Sequence, residues 1–257
     1  MRTPSAPGER IELDGTLNLR DIGGWAADGG VVRRGLVFRS DRLSTLSDDD
    51  LGRLDDLGIA TVIDLRYHAE VAADPSRLWS AVSVHLEIPI GGRLAEQGSL
   101  IDRAFAGELD EISVDDVADS YLTMLADHGT EFGRAVDAVL DGAPALYHCT
   151  AGKDRTGLLT MLLFKTVGVA DEAVLVDFER SNRYRAEVRV EQLRSTFADA
   201  GLDVERFRPG LSAPRPAMEA ALAWIEAEHG GAEGYLADVG GVTQPRRRLR
   251  AHLLDTT

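Results

Sequence analysis

The feature that most constrains this chain is the segment 148–157, which has the sequence HCTAGKDRTG. It lies between a short apolar run that ends at His148 and a longer, mostly apolar stretch that continues to Gly168. This pattern predicts a strand, a tight glycine-containing loop and a helix in succession. Open α/β sheets place their ligands at the carboxyl ends of strands. The segment therefore favours an α/β fold with a ligand site at this loop.

The side chains of this segment indicate nucleophilic chemistry. Cys149 is the single cysteine of the chain, and five residues separate it from Arg155. A cysteine reacts as the thiolate, whereas a free thiol with a pKa of about 8.5 is mostly protonated at neutral pH. Loop N–H groups and the positive end of a helix dipole supply the electropositive surroundings that a thiolate needs. The same groups bind phosphate, and Arg155 and Lys153 add positive charge.

Two other interpretations of the loop are less consistent with its residues. A buried, inert cysteine is a common state of a lone Cys, but burial would not explain the glycines, Lys153 and Arg155 around it. A nucleotide-binding P-loop needs a glycine five residues before Gly152 and Ser or Thr directly after the lysine. Tyr147 and Asp154 occupy those two positions.

The chain resembles the cysteine-dependent protein tyrosine phosphatase superfamily, in particular its bacterial tyrosine and lipid phosphatase B branch. The spacing of Cys149, Arg155 and Thr156 carries the resemblance, together with the sequence HCTAGKDRTG. Further matches follow in the order that the family shows, over roughly residues 11 to 185. They are NLRDIGG at 18–24, FRSD at 38–41, DLR at 64–66 with Glu70 beyond it, and the pair Ser181–Asn182. The C-terminal third is less diagnostic.

The resemblance implies a phosphatase that hydrolyses phosphomonoesters through a phosphocysteine intermediate. Cys149 would attack phosphorus and Arg155 would hold the equatorial oxygens, with no metal and no cofactor. Thr156 would donate its hydroxyl to the sulfur, and His148 would brace the loop backbone. The predicted phosphate-binding residues are Thr150, Ala151, Gly152, Lys153 and Thr156.

The proton donor to the leaving group is the least certain role at the level of sequence. Many tyrosine phosphatases supply an aspartate from a separate loop, but the segment IGGR at 90–93 contains no carboxylate. Asp154 lies inside the phosphate loop, at a position where the resembled family carries an aspartate. We therefore expect Asp154 to be the third catalytic residue, although it could instead orient Arg155. Asp41 and Asp102 are further candidates.

The predicted substrates are phosphotyrosine proteins and phosphoinositides. Lys153 suits the extra phosphates of a phosphoinositide. Two alternatives share the loop: a phospholigand-binding pseudophosphatase that has lost turnover, and a sulfurtransferase that carries a persulfide on Cys149. The intact Cys149, Arg155 and Thr156 argue against the first, and the continuation Arg155–Thr156–Gly157 fits phosphate better than thiosulfate.

Composition excludes some classes of partner and compartment. A net charge of −15 argues against general nucleic-acid binding, which needs clustered basic surface. One cysteine cannot form an intramolecular disulfide, which favours a reducing compartment. No apolar targeting segment or stretch of 18 apolar residues occurs, so we expect a cytoplasmic protein without stable membrane insertion. The resemblance leaves export without a cleavable signal open, and the oligomeric state is not predicted.

Apolar periodicity predicts one phosphatase domain over residues 1–257, with a central, largely parallel sheet and helices on both faces. Segment 91–107 is a candidate lid, and segment 171–257 is helical. Arg66 and Glu70 are predicted to form an i, i+4 helical pair. The basic cluster at 246–250 could meet anionic lipid, although a solvated helix face is the simpler interpretation. The predicted strands are 31–39, 59–65, 82–88 and 143–148, and the main helices are 47–57, 113–127, 131–140, 158–167, 171–183, 186–200, 215–229 and 243–254.

Overall fold

A five-stranded sheet organises the fold in the computed structural model, which describes residues 6–91 and 98–255. The spatial order of its strands is β1-β4-β7-β5-β6, and every pair except β1 with β4 is parallel. A second, three-stranded antiparallel sheet has the order β2-β3-β8. The strands are β1 Arg20–Asp21, β2 Ala26–Ala27, β3 Gly30–Val32, β4 Val37–Ser40, β5 Thr61–Asp64, β6 Val84–Glu87, β7 Ala145–His148 and β8 Leu254–Asp255.

The pleat of the main sheet divides the apolar core into two clusters. Successive side chains of a strand point to opposite faces, so Leu146 and Tyr147 of β7 belong to different clusters. Leu146 packs in the smaller cluster with Leu54 and Trp79, while Tyr147 packs in the larger one with the helices of the C-terminal half. Both faces of the sheet are therefore covered, as the prediction of helices on both faces requires.

Helices connect the strands and form most of the C-terminal half. Ser47 and Ser113 cap α1 and α4 with reciprocal side-chain and backbone hydrogen bonds. Gly168 ends α6 in the left-handed conformation with φ of 89°. The helices are α1 Asp48–Asp56, α2 His68–Ala73, α3 Leu100–Phe105, α4 Val114–Asp127, α5 Gly129–Gly142, α6 Asp154–Val167, α7 Asp171–Ser181, α8 Glu187–Asp199, α9 Arg208–Leu211, α10 Arg215–His229, α11 Ala232–Asp238 and α12 Pro245–Leu253.

The predicted fold class is confirmed, and the element boundaries differ in two places that matter. The predicted strand at 31–39 is two strands in different sheets, because the turn at 33–36 redirects the chain between β3 and β4. The two helices predicted separately at 171–183 and 186–200 are joined without a break by a π-helical segment, Asn182–Ala186, which connects α7 to α8. The helices predicted at 215–229 and 113–127 agree closely with α10 and α4.

The predicted helical pair of Arg66 and Glu70 is wrong. Arg66 precedes α2 and pairs instead with Asp64 at 2.7 Å, while Glu70 points to Arg155 at 2.6 Å. The i, i+4 rule holds only within a helix, and Arg66 lies in the turn between the end of β5 at Asp64 and the start of α2 at His68.

The basic cluster on α12 is largely neutralised by neighbouring carboxylates. Arg248 pairs with Asp137 at 2.6 Å, and Arg246 pairs with Asp28 at 3.3 Å. Arg250 donates to the carbonyl of Val167. These contacts favour the interpretation of a solvated helix face over a lipid-binding surface. No helix among residues 6–91 and 98–255 has the length and hydropathy to cross a bilayer.

Candidate active site

Cys149 directly follows β7, the central strand of the main sheet, and the loop 149–153 leads into α6 at Asp154. Gly152 makes the loop possible, since its φ of 66° lies in the left-handed region. A Cβ at this position would also come within 2.6 Å of the backbone of Ser40 and Asp41. The glycine thus lets the loop fold tightly against the end of β4.

The Cys149 sulfur is buried and accepts two hydrogen bonds from its own loop and helix. Its exposed fraction is 1%. The Gly152 N–H donates to Sγ at 3.2 Å, and the Thr156 hydroxyl donates at 3.1 Å. Two donors that converge on sulfur stabilise negative charge on that atom. This is the arrangement predicted for Thr156.

Arg155 is held at the loop by a bidentate pair with Glu70. Nη1 donates to Oε2 at 2.6 Å and Nη2 donates to Oε1 at 2.9 Å. The guanidinium also lies over the ring of Tyr67, with its carbon 5.2 Å from the ring centroid. Burial works against the charged form, but the hydrogen bonds with Glu70 outweigh it and raise the pKa of Arg155.

Glu70 also binds the other side of the loop, because the hydroxyl of Thr150 donates to its Oε1. Burial alone would raise the pKa of Glu70, yet the contacts with Arg155 lower it below its ordinary value. The carboxylate therefore stays ionised and joins α2 to both ends of the loop. Arg155 is oriented before any substrate arrives.

Asp154 accepts hydrogen bonds from Lys153 and Tyr121 at the same carboxylate oxygen. Lys153 Nζ lies 2.6 Å from Oδ1, and the Tyr121 hydroxyl lies 2.7 Å from it. Burial first and the Asp154 charge second raise the pKa of Tyr121 well above its ordinary value, so the phenol remains a donor. Within the described chain, the other carboxylate oxygen of Asp154, Oδ2, forms no hydrogen bond. It is therefore available to a substrate atom.

A buried polar network supports the loop from behind. The Asn18 side chain donates to the carbonyls of Ala151 at 3.3 Å and Gly152 at 2.9 Å. Arg39 also donates to the Gly152 carbonyl, at 2.8 Å. The loop carbonyls are turned toward the network, away from the sulfur. The Gly152 N–H is therefore left to face Cys149 Sγ.

Asp177 of α7 completes this network. It pairs with Arg20 at 3.0 Å and with Arg39 at 2.7 Å, and all three side chains are at most 1% exposed. Burial works against ionisation, but the charges of Arg20 and Arg39 keep the pKa of Asp177 below its ordinary value. The segments NLRDIGG at 18–24 and FRSD at 38–41, which carry part of the family resemblance, therefore contact α7 at one place in the fold.

His148 braces the loop from the strand side. Its Nδ1 lies 3.4 Å from the Cys149 carbonyl, and its Nε2 lies 3.4 Å from both Ser76 Oγ and Asp64 Oδ2. Burial lowers the pKa of His148 to about 4, against the opposing effect of Asp64. The ring is neutral at physiological pH and, as predicted, lies beside the backbone rather than at the sulfur.

A cavity of about 120 Å³ opens over the loop on the side of Asp154. Lys153, Asp154, Arg155 and Tyr67 form its polar side. Its apolar side comes from three segments: 90–91 after β6, 98–101 at the start of α3, and α4. Residues 98–101 of the predicted lid thus border the cavity. Residues 92–97 of the predicted lid, including Arg93, lie outside the described residues.

The structure brings together Cys149, Asp154, Arg155 and the predicted phosphate-binding residues. Two further candidates for the proton donor lie elsewhere: Asp41 is buried under backbone donors from Leu17 and Asn18, and Asp102 caps α3. Sequence analysis missed Tyr121, whose only signal is its place on an amphipathic helix. It also missed Glu70 as the partner of Arg155. No group of three potential metal-ligating side chains occurs in the parts of the chain that the structure describes.

Known proteins share this sequence pattern over nearly the whole chain. The tyrosine phosphatase family matches residues 11–255. The triple specificity protein phosphatase PtpB of Mycobacterium tuberculosis is 32% identical, covering 95% of this chain and 98% of that protein. A tyrosine-protein phosphatase of Nostoc commune is 28% identical, covering 84% of this chain and 73% of that protein. The catalytic core of Siw14 aligns structurally with a TM-score of 0.34 at 13% identity, covering 65% of this chain and 90% of that chain.

The match over residues 11–255 extends through the C-terminal third, where the sequence alone was least diagnostic. It also favours phosphoryl transfer over the sulfurtransferase alternative. The predicted resemblance is confirmed, and the chain belongs to the tyrosine phosphatase family.

Proposed function

We propose that Cys149 is the nucleophile of a protein-tyrosine phosphatase that also accepts phosphoinositides. The observation that carries the proposal is the convergence of the Gly152 N–H and the Thr156 hydroxyl on Sγ, at 3.2 and 3.1 Å. A sulfur with these donors beside an oriented guanidinium is equipped to attack an anionic phosphate. The name of the 32% identical relative, a triple specificity protein phosphatase, supports a substrate range wider than phosphotyrosine.

In the first step, the Cys149 thiolate attacks phosphorus in line with the leaving oxygen. The S–P bond forms while the P–O bond to the substrate breaks, and the electron pair leaves with that oxygen. Arg155 and the loop amides from Thr150 to Arg155 stabilise the charge on the three equatorial oxygens. Asp154 gives its proton to the leaving oxygen.

In the second step, water attacks phosphorus and the S–P bond breaks. Asp154, now a carboxylate, takes the proton from the water, and inorganic phosphate leaves. The Thr156 hydroxyl, 3.1 Å from Sγ, stabilises the departing thiolate. The same carboxylate thus acts as acid and then as base, and the chemistry balances without a metal or cofactor.

Lys153 links substrate binding to the acid in this proposal. Its ammonium lies 2.6 Å from Asp154 Oδ1. An incoming phosphate competes for the same ammonium, which releases the Asp154 carboxyl group from this ion pair so that it can face the leaving oxygen. Lys153 also contributes a positive charge for a further phosphate of a phosphoinositide.

The whole chain acts as one phosphatase domain in this proposal. The described part of the candidate lid at 91–107 borders the cavity over Asp154, and we assign that part the role of covering the site. The helices of segment 171–257 include α7, which holds the loop through Asp177. A catalytic thiolate that has no second cysteine nearby to protect it favours action in a reducing compartment such as the cytoplasm.

Phosphate release tests the proposal directly. The substrates are a phosphotyrosine peptide, a phosphoserine peptide and a panel of phosphoinositides, at pH 5 to 8 with EDTA present. We expect release from the phosphotyrosine peptide and from phosphoinositides, and none by the variant Cys149→Ser. Tight binding of the phosphotyrosine peptide without release would instead support the binding-module alternative.

A further inference from the structure

A second polar cavity lies beside the catalytic loop, on a different side from the cavity over Asp154. Its volume is about 220 Å³, and Thr150 of the loop forms part of its wall. Three arginines line it: Arg42, which follows β4, Arg185 in the π-helical segment, and Arg189 in α8. We call this cavity the arginine pocket.

Two of these arginines lack the carboxylate partners that arginines have elsewhere in the fold. Arg185 and Arg189 are half-buried. Within residues 6–91 and 98–255, neither of their guanidinium groups forms a hydrogen bond or an ion pair. Arg194, further along the same helix, pairs with Glu191 at 3.0 Å and with Glu205 at 3.2 Å. Partly buried cations without a partner are costly unless a ligand supplies the negative charge.

The backbone brings these like charges together. Arg185 and Arg189 are four residues apart, a spacing that places two side chains on one face of a helix and makes like charges repel. Burial lowers the pKa of Arg189, and the charges of Arg185 and Arg42 lower it further. The π-helical segment that carries Arg185 is a type of irregularity found frequently at functional sites.

The arginine pocket is close to the reacting groups. The backbone N–H of Arg42 donates to the Thr150 carbonyl at 3.3 Å. Burial lowers the pKa of Arg185, while the nearby charges of Asp41, Cys149 and Asp154 act in the opposite direction. Asp41, which also lines the pocket, already accepts hydrogen bonds from the backbone of Leu17 and Asn18. It therefore offers the arginines only part of the compensation they need.

We propose that the arginine pocket binds a second phosphate of the substrate while the catalytic loop holds the phosphate being removed. The substrate class is an inositol ring with two phosphates, either free or as the headgroup of a lipid. The pocket and the loop share Thr150, so the two phosphates must lie close together, as they do on one small ring. Two adjacent phosphotyrosines of an extended peptide fit less well, since successive side chains point to opposite sides.

This inference rests on the proposed function, and its test compares substrates rather than measuring activity alone. The variant Arg185→Gln with Arg189→Gln removes both unpaired charges, and Arg183→Gln is the matched control in the same π-helical segment, exposed and outside the pocket. Each protein is assayed on a short-chain phosphatidylinositol monophosphate, the corresponding bisphosphates, a soluble inositol bisphosphate, and singly and doubly phosphorylated tyrosine peptides.

We expect the ratio of kcat/KM for bisphosphate to that for monophosphate to fall about tenfold or more in the double variant, because charge-assisted hydrogen bonds to the second phosphate are lost. The loss should fall mainly on KM, since the second phosphate does not react. The control should keep the wild-type ratio. Equal losses on soluble and lipid-linked bisphosphates would place recognition in the headgroup, as proposed. An unchanged ratio, or a selective loss on the doubly phosphorylated peptide, would overturn the proposal.

Two further measurements separate this inference from other failures. A structural role for the arginines predicts a lower Tm for the double variant, whereas relief of the repulsion between the two arginines predicts an equal or higher Tm when Tm is measured without phosphate. If the wild-type enzyme releases no phosphate from any substrate, the proposed function fails. Calorimetric binding of soluble inositol bisphosphate to Cys149→Ser, with and without the arginine changes, still decides whether the pocket binds the second phosphate.

Discussion

Asp154 receives hydrogen bonds from Lys153 and Tyr121 on a single oxygen, in the same loop as the nucleophile. This placement removes the need for an acid on a separate loop and explains how segment 90–93 can lack a carboxylate within the proposed mechanism. It also makes the acid's role sensitive to the leaving group, because a good leaving group departs without a proton.

Asp154→Asn should therefore discriminate between aryl phosphates. We expect kcat/KM to fall about 100-fold or more on a phenyl phosphate with a poor leaving group, and far less on one with a good leaving group. Steady-state kinetics on the two substrates measures the difference. Equal losses would remove Asp154 from the acid role and leave it as a residue that orients Arg155.

Glu70 acts through Arg155, so we classify it as a positioning residue. Glu70→Gln keeps the size of the side chain and its cap on the Tyr67 N–H, but weakens the bidentate pair. A misplaced guanidinium should lower kcat about 10- to 100-fold. Glu87→Gln is the control, since Glu87 is an exposed residue of β6 whose partner is His68 at 3.2 Å. A loss confined to KM would contradict this prediction.

At the scale of elements, the packing of α4 against the apolar core holds Tyr121 in position to contact Asp154. Its buried residues Val117, Tyr121, Met124 and Leu125 face the larger apolar cluster, and Ser113 caps its first turn. The cap lies at the start of the helix, and Tyr121 lies about two turns further along it. The stability of α4 and the position of Tyr121 can therefore be tested separately.

Ser113→Ala should lower the free energy of unfolding by about 1 kcal/mol, because it removes the hydroxyl that accepts the Asp116 N–H in the first turn of α4. Urea denaturation measures this change. Activity on a small aryl phosphate should stay at the wild-type level, since the buried face of α4 still holds the helix in place. A stability loss well below about 0.5 kcal/mol, the lower end of the range for such caps, would show that the cap is redundant.

At the scale of the whole molecule, the buried His148 at the end of β7 makes the free energy of unfolding depend on pH. His148 has its pKa lowered to about 4 from an ordinary 6.5, chiefly by burial. Below pH 6.5 the unfolded chain therefore takes up a proton that the folded chain refuses until about pH 4. Folding is thus disfavoured progressively as the pH falls through this interval.

We expect the free energy of unfolding of the wild-type protein to depend more steeply on pH than that of His148→Asn between pH 6.5 and 4. The difference in slope should approach, and not exceed, about 1.4 kcal/mol per pH unit. Comparing the two proteins isolates His148 from buried carboxylates such as Asp41, whose raised pKa acts in the opposite direction. Parallel curves would show that His148 is not the group responsible.

Much of the fold and of the catalytic loop could be predicted because it depends on local sequence. Strand β7, the glycine-containing turn and α6 follow each other within segment 145–167, and their apolar pattern and glycines are properties of neighbouring residues. The helices α1 and α4 carry their own caps at Ser47 and Ser113. Boundaries failed where a turn redirects the chain between two sheets, at 33–36, because apolar periodicity does not distinguish one sheet from another.

Sequence alone determined the family and predicted the candidate nucleophile and its arginine, since Cys149, Arg155 and Thr156 lie within eight consecutive residues. Only the tertiary structure decided which groups support them. Glu70 reaches Arg155 across 85 residues, Tyr121 reaches Asp154 across 33, and Asp177 reaches Arg20 across 157. The partner of a charged side chain depends on which strands and helices pack together, and local propensity carries no information on that choice. The arginine pocket has the same origin, because its lining residues come from four segments that are distant in sequence.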